Sequence, residues 1–174
     1  IYRSFQQGVY SPVHREICER ENIPLVETSD ISDPEVNSLY AETEPDVCIC
    51  CGWTQIIPES TLEAPMWGTV GLHLSPLPEG RGGAPVNWQI IHGHESVTAT
   101  LFRFVPEVDH GDILGQTSVR LESRDDISTM YPKLTEASIQ LVDEFLTDAS
   151  AGTITRTSQS YDDATYYPQR KPQD

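Results

Sequence analysis

The run Val47-Cys48-Ile49-Cys50-Cys51 constrains the fold most. It is apolar throughout, with a helical pattern before it and Gly52-Trp53 directly after it. A strand without polar alternation is covered on both faces, and such strands alternating with helices mark an α/β chain built on a parallel sheet. The neighbouring punctuation agrees. Ser11-Pro12 and Asp33-Pro34 each place a capping side chain before a proline at the first helical position. Val13 and Ile17 form the apolar face of the first predicted helix; Val36, Leu39 and Tyr40 form that of the second. Short strands are predicted at 23–26, 69–73, 98–104 and 113–121, and brief helices around Leu62 and from Pro85 to Gly93. Ile127, Met130, Leu134, Leu141 and Phe145 mark a long amphipathic helix that Pro132 kinks or restarts. The fold class is therefore α/β: a Rossmann-like, open, mostly parallel sheet with helices on both faces. Residues 1–157 are expected to form one domain and 158–174 a polar tail.

Composition narrows the partners. The 174 residues carry 27 acidic against 11 basic side chains, a net charge of −16. An acidic surface repels phosphate backbones, so nucleic acid is a poor partner. With only Lys133 and Lys171 as lysines, the surface also resembles a salt-adapted, halophilic one. No apolar run reaches the ~20 residues of a membrane helix, and no secretory signal opens the chain. Of the four cysteines, Cys48 and Cys51 fall at C-x-x-C spacing, but no second pair and no His at zinc-finger spacing completes a metal-binding pattern. All four read as free thiols of a reducing compartment, the cytoplasm, with no metal site. Ile1 stands first without an initiator Met, so an upstream segment is expected.

Two stretches carry candidate chemistry. In 71–85, His73 ends a strand and is followed by Ser75, Arg81 and glycines at 80, 82 and 83. A strand-end His can stabilise a developing oxyanion, and Arg81 can bind an anion bidentately; an ordinary structural His fits as well. In 108–114, Asp109 can orient a His, or open an Asp-Gly turn before a strand. His110 is either a ligand contact or an exposed side chain. His92 and His94 read as solvated, Asp125 and Asp126 as helix-start residues, and Trp53 as a ligand platform or a core residue.

Together the two stretches resemble the folate-dependent formyltransferase family, in its methionyl-tRNA and sugar-nucleotide branches. The matching positions are His73, Ser75, Leu77, Pro78, Arg81, Gly82, Pro85 and Trp88, then Asp109, Gly111, Asp112, Ile113 and Leu114. Pro45-Asp46 to Pro58 looks like the family's folate-side strand and loop, and 164–172 like the segment after its catalytic domain. The resemblance implies transfer of a formyl group from 10-formyltetrahydrofolate to a primary amine. It makes His73 the oxyanion stabiliser and Asp109 the carboxylate that keeps His73 oriented and cationic. Gln55, Ile56, Ile57, Val108 and Asp112 would bind folate, and Ser75, Arg81 and Gly82 the acceptor. The family's Asn two positions before the His is Gly71 here. Replacement of that donor, altered turnover and loss of catalysis are the three outcomes that follow. An amino sugar nucleotide or another small amine is the expected acceptor. The alternatives are formyl-folate hydrolysis, methionyl-tRNA formylation and a non-catalytic folate- or nucleotide-binding module. The family's first strand precedes the start of this chain, so an open sheet is expected, which a homodimer would cover.

Overall fold

The computed structural model describes residues 12–26, 28, 30–52 and 56–171. Ser11, Trp53 and Gln55 lie outside them, as do the side chains of Pro12 and Val13. The elements are α1 (Pro12–Glu21), α2 (Pro34–Thr43), β1 (Cys48–Cys50), α3 (Glu59–Leu62), β2 (Thr69–His73), β3 (Arg81–Gly82), α4 (Pro85–Ile91), β4 (Ser96–Arg103), β5 (Ile113–Arg120), α5 (Ile127–Ala151) and β6 (Tyr166–Tyr167).

The α/β class and the open Rossmann-like sheet are as expected. The main sheet has the order β1-β2-β4-β5. Among the described residues its parallel character is confined to β1 and β2; β2/β4 and β4/β5 pair antiparallel. For β4 and β5 the reason lies in the connection. A parallel pairing needs a crossover of a dozen or more residues, whereas β4 returns as β5 through a short loop, which allows only a hairpin-like pairing. A second, two-stranded sheet joins β3 to β6 in parallel.

Strand alternation sorts the side chains into two layers. Val97, Ala99 and Leu101 of β4 and Val70 of β2 face α5, where they pack against Met130, Leu134, Leu141 and Phe145. Val97, Ala99, Leu101 and Met130 are fully buried; burying a side chain the size of Leu or Met stabilises by roughly 1.5–3 kcal/mol. α5 is uninterrupted through Pro132. The opposite layer carries Gly71, His73, Thr100 and Phe102, and there Tyr40 of α2 donates to Cys48 Sγ at 3.2 Å. Helices thus lie on both faces.

Two local expectations fail. Residues 23–26 form no strand, because no strand among the described residues offers them a ladder. Ile17 of α1 and Ile49 of β1 are exposed rather than core residues. Residues 158–171 of the polar tail include β6 and pack back on the loop after β2. No helix among the described residues is long and apolar enough to cross a membrane.

Candidate active site

β2 ends at His73 on the layer opposite α5. The chain then turns through 74–80, and this turn is pinned from several directions. Ser75 Oγ donates to the Glu79 carbonyl at 2.8 Å, and Thr100 Oγ1 donates to the Ser75 carbonyl at 2.6 Å. Gln116 Nε2 donates to the Leu77 carbonyl at 2.9 Å. The turn closes on His73 itself, whose Nε2 stands 2.8 Å from the Gly80 carbonyl oxygen. A carbonyl only accepts, so Nε2 carries a proton and the neutral ring holds its lone pair at Nδ1.

Asp109 comes from a less direct route. Because β4 runs antiparallel to β2, it ends at the far end of the sheet, with Arg103 opposite Val70. The loop 104–112 then doubles back across the sheet face. Phe104 lies over Gly71, and Asp109, in the left-handed region at φ 53°, reaches the end of β2. Asp109 Oδ2 stands 3.7 Å from His73 Nδ1 and accepts from the Gly82 N–H at 2.8 Å. The two side chains are only 11% and 19% exposed. Histidine and carboxylate are therefore brought together from separate ends of the sheet.

Both line a cleft of about 590 Å³, a size suited to a small ligand. Ile56, Ile57 and Val108 form part of its wall, as does Gly82. Cys50 also borders it; burial, reinforced by the neighbouring thiols, pushes its pKa up to about 12, so it meets the cleft as a neutral thiol. Tyr167 is likewise raised, by burial and then by the charge of Glu79.

The other expected residues point elsewhere. Arg81 is fully buried. Its Nε and Nη2 donate to Gln159 Oε1 at 3.1 and 2.7 Å, and its Nη1 donates to Tyr166 Oη at 3.1 Å. Its guanidinium is therefore spent on neutral oxygens inside the protein and not turned to an anion in the cleft. Ser75 is buried and spent on its own turn. Asp112 accepts from Ser158 Oγ at 3.0 Å and does not border the cleft. His110 is neither exposed nor on the cleft: its ring packs tilted against Tyr161 with ring centres 4.2 Å apart, and its Nε2 is buried without a partner.

Among the residues that escaped sequence reasoning are Phe104, Gln159, Tyr167 and Gln169. Phe104, Tyr167 and Gln169 line the cleft. A Cβ on Gly71 would overlap the Phe104 ring and stand 2.9 Å from the Cys50 carbonyl oxygen. The place of a side-chain amide is thus filled by an aromatic ring. Phe104 alternates as a strand residue does, and nothing local marks it as a cleft wall.

Known proteins resemble this chain in sequence and fold. Methionyl-tRNA formyltransferase of Bacillus licheniformis is 31% identical over 160 residues, covering 92% of this chain and 51% of the relative. That of Geobacter metallireducens is 31% identical over 168 residues, covering 97% and 54%. The chain thus spans about half the length of these curated relatives. Among solved structures, the formyltransferase PseJ from Anoxybacillus kamchatkensis, in complex with UDP-4,6-dideoxy-4-formamido-L-AltNAc and tetrahydrofolate, superposes with a TM-score of 0.71 at 23% identity. It covers 92% of this chain and 82% of that one. HypX from Aquifex aeolicus in complex with tetrahydrofolic acid gives 0.72 at 22% identity, covering 97% and 29%. Both structures share the fold. The formyl transferase family model matches residues 9–146, most of the chain, and the protein belongs to that family.

Proposed function

We propose that this chain transfers a formyl group from 10-formyltetrahydrofolate to a primary amine on a small acceptor, an amino sugar nucleotide being the favoured class. The observation that carries this reading is the orientation of His73. With Nε2 committed to Gly80, the remaining ring nitrogen, Nδ1, faces Asp109 at 3.7 Å on the wall of a ligand-sized cleft.

When bound, the folate supplies an activated one-carbon unit. Ile56, Ile57 and Val108 would hold its ring against an apolar wall, and Gln55, outside the described residues, would join them. The protein's own work is done by two side chains. In its protonated form His73 presents Nδ1–H to an oxygen that is gaining negative charge, with the Asp109 carboxylate holding the ring and balancing the cation. In its neutral form Nδ1 is a lone pair able to take a proton from an attacking amine. Gly82, Tyr167 and Gln169 line the same cleft and would meet the acceptor. A net charge of −16 opposes a polyanion such as tRNA far more than a small nucleotide. A second reading, binding without turnover, is favoured by Gly71, which offers no side-chain amide.

The test is incubation with 10-formyltetrahydrofolate and a panel of amino sugar nucleotides, following tetrahydrofolate and the formamide product. Formamide formation supports transfer. Formate release with no dependence on amine indicates hydrolysis, and folate binding by calorimetry with neither product indicates a binding module; either result overturns the transferase reading.

A further inference from the structure

Asp109 sits in a loop that crosses the sheet, with a left-handed φ of 53°, and little in its own sequence holds it there. One buried side chain from the far end of the chain does. Gln159 Nε2 donates to the Asp109 carbonyl at 2.9 Å and to the Gly111 carbonyl at 2.7 Å. Its Oε1 accepts twice from Arg81. Arg81 is immobilised in turn: it is fully buried, β3 pairs with β6, and its Nη1 donates to Tyr166 Oη. The chain around Gln159 follows the same path, since Thr157 pairs with Ile113 and Ser158 Oγ reaches Asp112.

We propose that Gln159 is a positioning residue for the Asp109–His73 pair, linking the turn after β2 to the loop 104–112 so that the carboxylate stays at its working distance from the imidazole. This rests on the catalytic reading of that pair. Gln159 touches neither reacting group. It joins the backbone on either side of residue 110 to the guanidinium beside Gly82, the residue whose N–H binds Asp109 Oδ2. All the capacity of one amide is used: two donors go to the loop and the oxygen goes to Arg81. Only Gln, at this length, makes both connections.

The discriminating variant is Gln159→Glu. Its carboxylate still accepts from Arg81, so the buried guanidinium keeps a partner, but it cannot donate to the two loop carbonyls. The full chain is examined by NMR, following the Gly82 amide and the His73 ring, and by steady-state kinetics with 10-formyltetrahydrofolate and the amine panel. The expected result is a folded protein with both sets of resonances displaced. Its kcat falls about 10- to 100-fold, as loss of ångström-level positioning produces, with a smaller change in KM. Wild-type resonances and wild-type kcat in folded Gln159→Glu would overturn the proposal. If that variant does not fold, Gln159→Asn is measured instead: it is uncharged, one methylene too short to reach both partners, and has the same expected and contrary results. Should the wild type turn over no amine, the function proposed above fails, while the displacement of the resonances still decides the role of Gln159.

Discussion

At the scale of single residues, side-chain identity and side-chain direction proved to be different kinds of information. His73 and Asp109 stand out in the sequence because few residue types do acid–base and electrostatic work. Their meeting at 3.7 Å depends on a loop path that no local pattern encodes. Arg81 is the opposite case. Its glycine-rich surroundings suggest anion binding, yet its partners are Gln159 and Tyr166, and the pairing cannot be seen without the fold. Gly71 yields a direct prediction. With the Phe104 ring and the Cys50 carbonyl crowding its Cα, Gly71→Asn should lower stability by about 1–3 kcal/mol, the usual cost of overpacking. Gly71→Asn combined with Phe104→Ala should recover part of that loss. Thermal melts of Gly71→Asn, Phe104→Ala and the double variant decide it; a Gly71→Asn protein as stable as wild type would show that the ring does not hold this space.

At the scale of elements, legibility followed how local each determinant is. Caps and turns act within a few residues, and Asp33 and Asp126 cap α2 and α5 as their sequences imply. β2 was also readable, because its five residues lie between a Gly and a turn. Residues 23–26 were not, because a strand exists only through its neighbour. The ligand-site rule that looks to strand ends led to His73, but Asp109 arrives by a loop that leaves the opposite end of the sheet. The start of α5 gives a prediction in pH. Hydrogen bonds from Lys133, from the Glu122 backbone and from Thr129 hold the Asp125 carboxyl at about 2. Its folded value lies below the ordinary 3.8, so its contribution is present above that value and is lost as the pH falls towards about 2. Asp125→Asn should therefore be less stable than wild type above about pH 4, and the gap should close near pH 2. A gap that stays constant in circular-dichroism melts across this window would contradict the assignment.

At the scale of the whole molecule, charge and connectivity dominate. We propose that the net charge of −16 makes stability salt-dependent, since screening over about 10 Å at 0.1 M and 3 Å at 1 M relieves self-repulsion. The melting temperature should rise from low to molar salt; a flat response would remove the case for a salt-adapted surface. The segment after α5 also belongs to this scale, because it closes the molecule over its own cleft through β6, Gln159 and Tyr167. The account as a whole turns on His73. The most direct measurement is the rate of formyl transfer by His73→Ala beside wild type, with the same donor, acceptor and folded protein. Loss of an oxyanion donor costs about 10²–10³ in kcat, and a fall at least that large is predicted. Turnover unchanged from wild type would place the chemistry elsewhere.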